Sequence, residues 1–231
     1  MKTLTNRSSI KYLFLFLAAT VTALSSCKKD DQAGNSTPTQ AVISITNAVE
    51  GSLGQDFYVG DVKLNTSAIA YAQNTGYLST NTGDKTAKFT NTGTTTANAQ
   101  FSLKLEAGQY YSVFYTGGAS ASSSSYLVLT DEGVKPAADK IKVRFVNLTT
   151  GLASALDLGI SATNKLATNI AAKTASAYYT LDATTQFNLY ANASLDALLS
   201  IPVTTRPGSV YTIYVTGSST TNLKLHLINQ L

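Results

Sequence analysis

Cys27 and His226 are the only cysteine and the only histidine in 231 residues, and they bound the chemistry open to the chain. A lone thiol has no disulfide partner within the chain. It can carry a lipid as a thioether, a bond that survives where a serine ester would hydrolyse. His226 alternates with Leu225 and Leu227, so strand geometry turns it away from the leucine side, beside Lys224. A general base needs an orienting partner, and no Gly-x-Ser-x-Gly elbow accompanies it. No Cys/His cluster and no alternating Asp/Asn loop offers a zinc or calcium site. Paired carboxylates for glycoside hydrolysis would have to come from thirteen acids, two of which, Asp30 and Asp31, follow Cys27 closely. Asp56 and Asp157 fall at matching places in a repeated pattern, which reads as a structural duty such as bonding loop amides. No glycine loop cradles a phosphate. No residue is therefore assigned to catalysis, to a cofactor or to a metal.

The segment before Cys27 reads as an address. Lys2, Arg7 and Lys11 precede an apolar run from Tyr12 to Leu24, the pattern of a secretory signal and too short to span a bilayer. Leu24-Ser25-Ser26-Cys27 resembles a bacterial lipoprotein lipobox, and the resemblance implies alkylation of the Cys27 thiol, cleavage before it and acylation of the new amine. Two other readings stand beside it: an ordinary signal peptidase acting at Val21-Thr22-Ala23, or an uncleaved anchor. Lys28-Lys29-Asp30-Asp31 is similar to the lysine and acidic cluster of surface-exported lipoproteins of Bacteroidota; a plain solvated tether is the alternative. Residues 1–26 are thus expected to be a signal peptide and 27–40 a lipidated tether, a coil holding the body roughly 20 Å from the lipid.

Behind the tether the chain repeats itself. Gly108-Gln109-Tyr110-Tyr111-Ser112-Val113-Phe114-Tyr115-Thr116-Gly117 returns as Gly208-Ser209-Val210-Tyr211-Thr212-Ile213-Tyr214-Val215-Thr216-Gly217, one hundred residues later. A glycine three residues before a tyrosine that opens an apolar strand is the pattern of a tyrosine corner, so Gly108 and Gly208 are expected at positive φ. Tyr111 and Tyr211 are expected to bond upstream backbone. Alternation puts Tyr111, Val113 and Tyr115 inside, with Tyr211, Ile213 and Val215 in the second copy. Phe114 and Tyr214 fall on the other, mixed face: a surface patch, a contact between the repeats, or rings covered by neighbouring side chains, the last being preferred.

Other segments pair in the same way. Ala41–Asn47 matches Lys140–Asn147, both ending in Asn, and Asp56-Phe57-Tyr58 matches Asp157-Leu158-Gly159. Lys85–Thr90 and Gln186–Tyr190 read as middle strands, Phe101–Leu105 and Leu199–Val203 as the strands before the corner, with Pro202 marking an edge. Tyr126–Leu129 and Leu223–Leu227 close each copy. Residues 61–76 and 161–177 lack a helical period and read as irregular with short strand pieces. Gly118–Ser125 reads as a hairpin tip. The expectation is an all-β chain of two tandem Greek-key (Ig/FnIII-like) β-sandwich domains, 41–132 and 140–231, joined by a linker at 133–139 short enough to keep them in touch. Val143-Arg144-Phe145-Val146-Asn147, Leu156-Asp157-Leu158, Pro207-Gly208 and Tyr211-Thr212-Ile213 resemble the DUF4397 domain of bacterial envelope lipoproteins. That resemblance covers most of residues 41–231, weakest in the first copy, and carries no activity with it.

The formal charge of +4 shrinks once Lys2, Arg7 and Lys11 are removed, leaving fourteen basic residues against thirteen acidic ones and no argument for nucleic acid. What remains is a non-enzymatic envelope protein, attached to the outer membrane by lipid alone and facing the periplasm or the cell surface. It would act in binding or as a structural component, with a glycan or another envelope protein as partner. The alternative is a surface carbohydrate-binding or adhesion module, for which Tyr77, Tyr178, Phe114 and Tyr214 are the candidate ligand surface. A hydrolase built on His226 is the third class.

Overall fold

Apolar side chains recur every second residue through most of the body, and a computed structural model, which describes residues 39–117, 125–202 and 204–231, turns that alternation into sixteen strands with no helix among the described residues. The first half holds β1 (Gln40–Asn47), β2 (Gln55–Val59), β3 (Val62–Lys63), β4 (Asn74–Asn81), β5 (Gly83–Asn91), β6 (Ala97–Leu105), β7 (Tyr110–Tyr115) and β8 (Tyr126–Asp131). The second holds β9 (Lys140–Asn147), β10 (Leu156–Gly159), β11 (Lys165–Ile170), β12 (Thr174–Asp182), β13 (Phe187–Ala191), β14 (Ala197–Ile201), β15 (Val210–Thr216) and β16 (Lys224–Asn229). Each half is a sandwich of two four-stranded sheets. In the first the orders are β4-β1-β7-β8 and β3-β2-β5-β6, and the second repeats them as β12-β9-β15-β16 and β11-β10-β13-β14. The opening strand of each half runs parallel to the corner strand, Ile43 beside Tyr111 and Val143 beside Tyr211.

Each sandwich closes over its own core. Ile43, Phe57, Phe89, Phe101 and Val113 are buried in the first, with the Phe57 and Phe89 rings 4.7 Å apart. Ile141, Phe145, Leu158, Phe187 and Ile213 fill the second. The corners are built alike. Gly108 and Gly208 stand at φ of 73° and 76°, where a side chain would be strained. The Tyr111 hydroxyl accepts the Glu106 amide at 3.1 Å and the Tyr211 hydroxyl accepts the Arg206 amide at 2.7 Å. Asn47 and Asn147 end their strands by the same device: the side-chain oxygen takes the amide two residues on, and the side-chain nitrogen donates to the carbonyl of Ile69 or Ile170.

Two expectations need correcting. Residues 161–177 are not mainly irregular: β11 lies wholly within them and β12 begins there and runs on to Asp182, whereas 61–76 hold only the short β3 and the start of β4, as expected. Neither β4 nor β12 is buried cleanly on one face, so neither writes a strong alternation into its sequence. β14 is an edge strand that stops at Ile201, before Pro202, and Val203 lies outside the described residues. So do residues 118–124 of the expected hairpin tip.

Candidate functional site

Strands β7 and β15 bury both of their faces, and the second face is where the polar chemistry collects. Their outward side chains meet those of the other half, so Ala48, Phe114, Val146, Leu148, Tyr214 and Ile228 form a third apolar cluster between the sandwiches. Beside it Arg144 on β9 donates from Nη2 to Asp131 Oδ1 at 2.7 Å and to Thr212 Oγ1 at 3.1 Å, and from Nη1 to the Thr130 carbonyl at 3.1 Å. The Arg144 and Asp131 side chains are 3% and 0% exposed, so water does not screen this pair. Asp131 Oδ2 accepts from the Tyr77 and Ser112 hydroxyls, each at 2.7 Å. Gln230, at the place in the second half that Asp131 holds in the first, donates to Tyr77 Oη at 3.1 Å and accepts from Tyr178 Oη at 2.9 Å and Thr212 Oγ1 at 3.1 Å. The Tyr178 ring lies under the guanidinium, 4.8 Å from centroid to Cζ.

Electrostatics keep the two tyrosine hydroxyls of this network protonated. Burial, and then the Asp131 carboxylate, push the Tyr77 hydroxyl far above the usual phenol range, so it stays a donor. Burial raises Tyr178 to about 12 despite the opposing pull of Arg144.

A second cluster spans the same joint. His226 stacks on Tyr214, centroids 4.5 Å apart, and its Nε2 lies 3.2 Å from the Tyr71 hydroxyl of the first half and 3.1 Å from Thr216 Oγ1. The Tyr71 hydroxyl and Thr216 Oγ1 are themselves 2.8 Å apart. Burial and the nearby Lys224 ammonium hold the His226 imidazole below its ordinary pKa. Lys224 is itself ion-paired with Glu50 across the joint. No group of three metal-ligating side chains occurs among the described residues.

The family model for a domain of unknown function, DUF4397, matches residues 41–159, more than half of the chain. The chain belongs to the DUF4397 family. The DUF4397 match takes in the whole first half and runs through β10, so it includes both Asp131 and Arg144. It falls on the copy that reads as the more divergent and stops short of Tyr211-Thr212-Ile213. No curated protein matches this DUF4397 chain. Among solved structures it is similar to CBMbc, of family CBM26, from Eubacterium rectale Amy13K in complex with maltoheptaose, with a TM-score of 0.28, 13% identity, and 81% of this chain and 96% of that one covered. It is also similar to a streptococcal virulence factor described by its alpha-glucan binding, with a TM-score of 0.27, 12% identity, and 80% and 96% covered. Overlaps of that quality transfer no ligand.

The residues singled out in the sequence of this DUF4397 chain are distributed as follows. Phe114 and Tyr214 are not a ligand surface: they are 0% and 1% exposed, their rings 5.6 Å apart in the joint, because each half covers the other's mixed face. Tyr77 and Tyr178 are half-buried and their hydroxyls are taken by Asp131 and Gln230, while the Tyr178 ring lines an open depression beside Arg144. No tyrosine or phenylalanine among the described residues is exposed. His226 does point away from its own core and meets the other half there, half-buried against Tyr71. Asp56 binds Asn65 Nδ2 at 3.0 Å and Lys63 Nζ at 2.8 Å. Burial pulls its carboxyl up, and the bonds from Lys63 and Asn65 more than offset that, holding it below the usual range. Asp157 accepts the amides of Asn169 at 2.8 Å and Ala193 at 3.2 Å, two residues at positive φ. Cys27 lies outside the described residues. Sequence reasoning missed Arg144, Asp131 and Gln230 as a set. The signal was Arg144 itself, a full charge in the middle of a strand whose counterpart at that place is Ser44.

Proposed function

We propose that this chain is a non-enzymatic cell-envelope protein, anchored by lipid on Cys27, whose paired sandwiches serve binding or a structural role. One observation carries the non-enzymatic part: the side chains best suited to chemistry, His226, Asp131 and Arg144, are each engaged by partners from the opposite half, where they hold the joint together. The anchor rests on Leu24-Ser25-Ser26-Cys27 behind a basic flank and an apolar run. Two or three acyl chains there hold a protein on a membrane effectively permanently, whereas one alone does so marginally. The segment from Lys28 to Gln40 then acts as the tether, and Lys28-Lys29-Asp30-Asp31 supports an outer-membrane, outward-facing placement. The carbohydrate alternative is weakened because every tyrosine and phenylalanine among the described residues is buried or half-buried, leaving no broadly exposed ring face.

Intact mass of the mature protein tests the anchor, with fractionation of Cys27→Ala alongside. The expected results are a mass increased by acyl chains and a variant that leaves the membrane pellet. An unmodified thiol, or a variant that still sediments with membranes, overturns the anchor. Turnover of an ester or glycoside that His226→Ala abolishes overturns the non-enzymatic reading.

A further inference from the structure

The two halves differ along one flank, where β3 and β4 form the sheet edges in the first and β11 and β12 in the second. In the second half β11 runs six residues and lies against β12, with Leu166, Ile170, Tyr179 and Leu181 packed on the core. In the first half β3 is two residues long. The stretch from Leu64 to Ile69 is one residue longer than its counterpart from Leu166 to Ile170, and past Lys63 it meets β2 only at the isolated Gln55–Ile69 bridge, whereas β11 stays paired with β10 as far as Ile170. The Asn65 side chain turns in to accept the Phe57 amide at 2.7 Å, a bond a regular strand would have made with its backbone. On β4 the inward positions of Tyr179 and Leu181 are held by the smaller Leu78 and Thr80. The shorter strand and the smaller side chains leave this flank under-filled. Two adjoining depressions open there, of about 370 and about 510 Å³, meeting at Leu64 and running along β4 from Asn74 to Asn81.

We infer that this groove binds an extended polypeptide segment of a partner protein, which adds to the outer edge of β4. Three observations choose that occupant. β4 ends its sheet, so alternate amides and carbonyls along it point away from β1, with no strand among the described residues to take them. The groove has an apolar floor of Val59, Leu64 and Leu78 beneath a rim of Ser, Thr and Asn side chains, which fits a strand alternating apolar and polar residues. At the Gln40 end Asp61 and Lys85 line it, and neither is in an ion pair among the described residues, so the incoming strand would bring one charge of each sign. No aromatic ring lines either depression, which counts against a glycan in the same place.

This inference rests on the binding role proposed above and is separable from the anchor, since the same full-chain preparation reports its lipid by intact mass. The probes are synthetic peptides that alternate leucine or valine with threonine or serine and carry one lysine and one glutamate. Peptides of the same composition in blocked order, and a panel of soluble oligosaccharides, serve as controls. Hydrogen exchange on the full chain in detergent is expected to slow along β4 with the alternating peptides and to stay unchanged along β12. Leu78→Tyr with Thr80→Leu, the residues of the second half, is expected to weaken peptide binding at least tenfold while leaving the melting temperature unchanged or higher. Equal protection by blocked peptides, protection by oligosaccharides alone, no protection by any probe, or undiminished affinity in the double variant would overturn the inference.

Discussion

Arg144 Nη2 and Asp131 Oδ1 lie 2.7 Å apart in a joint that excludes water, one contributed by each half of the molecule. At the matching places the repeat carries Ser44 and Gln230, both uncharged. The pair therefore suits only the joint between a first and a second half. Two first halves would leave Asp131 without a cation, and two second halves would leave Arg144 without an anion.

Removing one charge should be far worse than removing both. Asp131→Gln or Arg144→Ser alone leaves a buried ion uncompensated and is expected to cost about 3–5 kcal/mol on denaturant melts. The double variant, which writes each half's residue into the other, should recover a large part of that loss. A double variant no better than the worse single one would show that the charges do not act as a pair.

Tyr214 offers a sharper test because its hydroxyl is buried with no hydrogen-bond partner among the described residues. A buried polar group left unpaired costs about 1–3 kcal/mol. Tyr214→Phe is therefore expected to leave stability unchanged or to raise it, while Tyr214→Ala and Phe114→Ala each lose about 3–5 kcal/mol through the cavity they open in the joint. A clear loss of stability in Tyr214→Phe would mean that the hydroxyl has a partner after all.

The corner tyrosines should behave in the opposite way to Tyr214. Each hydroxyl accepts a backbone amide five residues upstream. Tyr111→Phe and Tyr211→Phe leave that amide unpaired, so each is expected to lose about 1 kcal/mol. Equal midpoints for variant and parent in urea would remove the corner as a stabilising device.

Much of this fold could be read from the sequence because the repeat doubles every signal. Gly108 and Tyr111 gain weight from Gly208 and Tyr211, and the inward sets around Val113 and Ile213 confirm one another. What could not be read was which outward face meets which. Phe114 and Tyr214 sit on strands that bury both faces, and alternation marks only the difference between two faces, never what covers the second. Periodicity also passed over β4 and β12, whose side chains are divided between the core, the joint and the open flank. Much of the joint is made of pairs far apart in the chain, such as Tyr71 with His226, and no local pattern announces a contact of that kind.

His226 makes the joint sensitive to acid. Its imidazole titrates lower in the folded protein than the ordinary 6.5, because burial and then Lys224 disfavour the cation. The unfolded chain therefore binds the proton more readily, and stability rises with pH in the window between the two values. Stability should be fully present above about 6.5 and fall as the pH drops toward the folded value, below which this contribution levels off. Asp56, held below its ordinary 3.8, adds a separate loss only under more acid conditions. Chemical denaturation of parent and His226→Gln at pH 7 and pH 5 separates the two, since glutamine retains a hydrogen-bonding group for Tyr71 and Thr216 but does not titrate. The parent is expected to lose stability between these pH values and the variant to lose less. Identical slopes for the two proteins would place the acid sensitivity elsewhere than the imidazole wedged between Tyr214 and Tyr71.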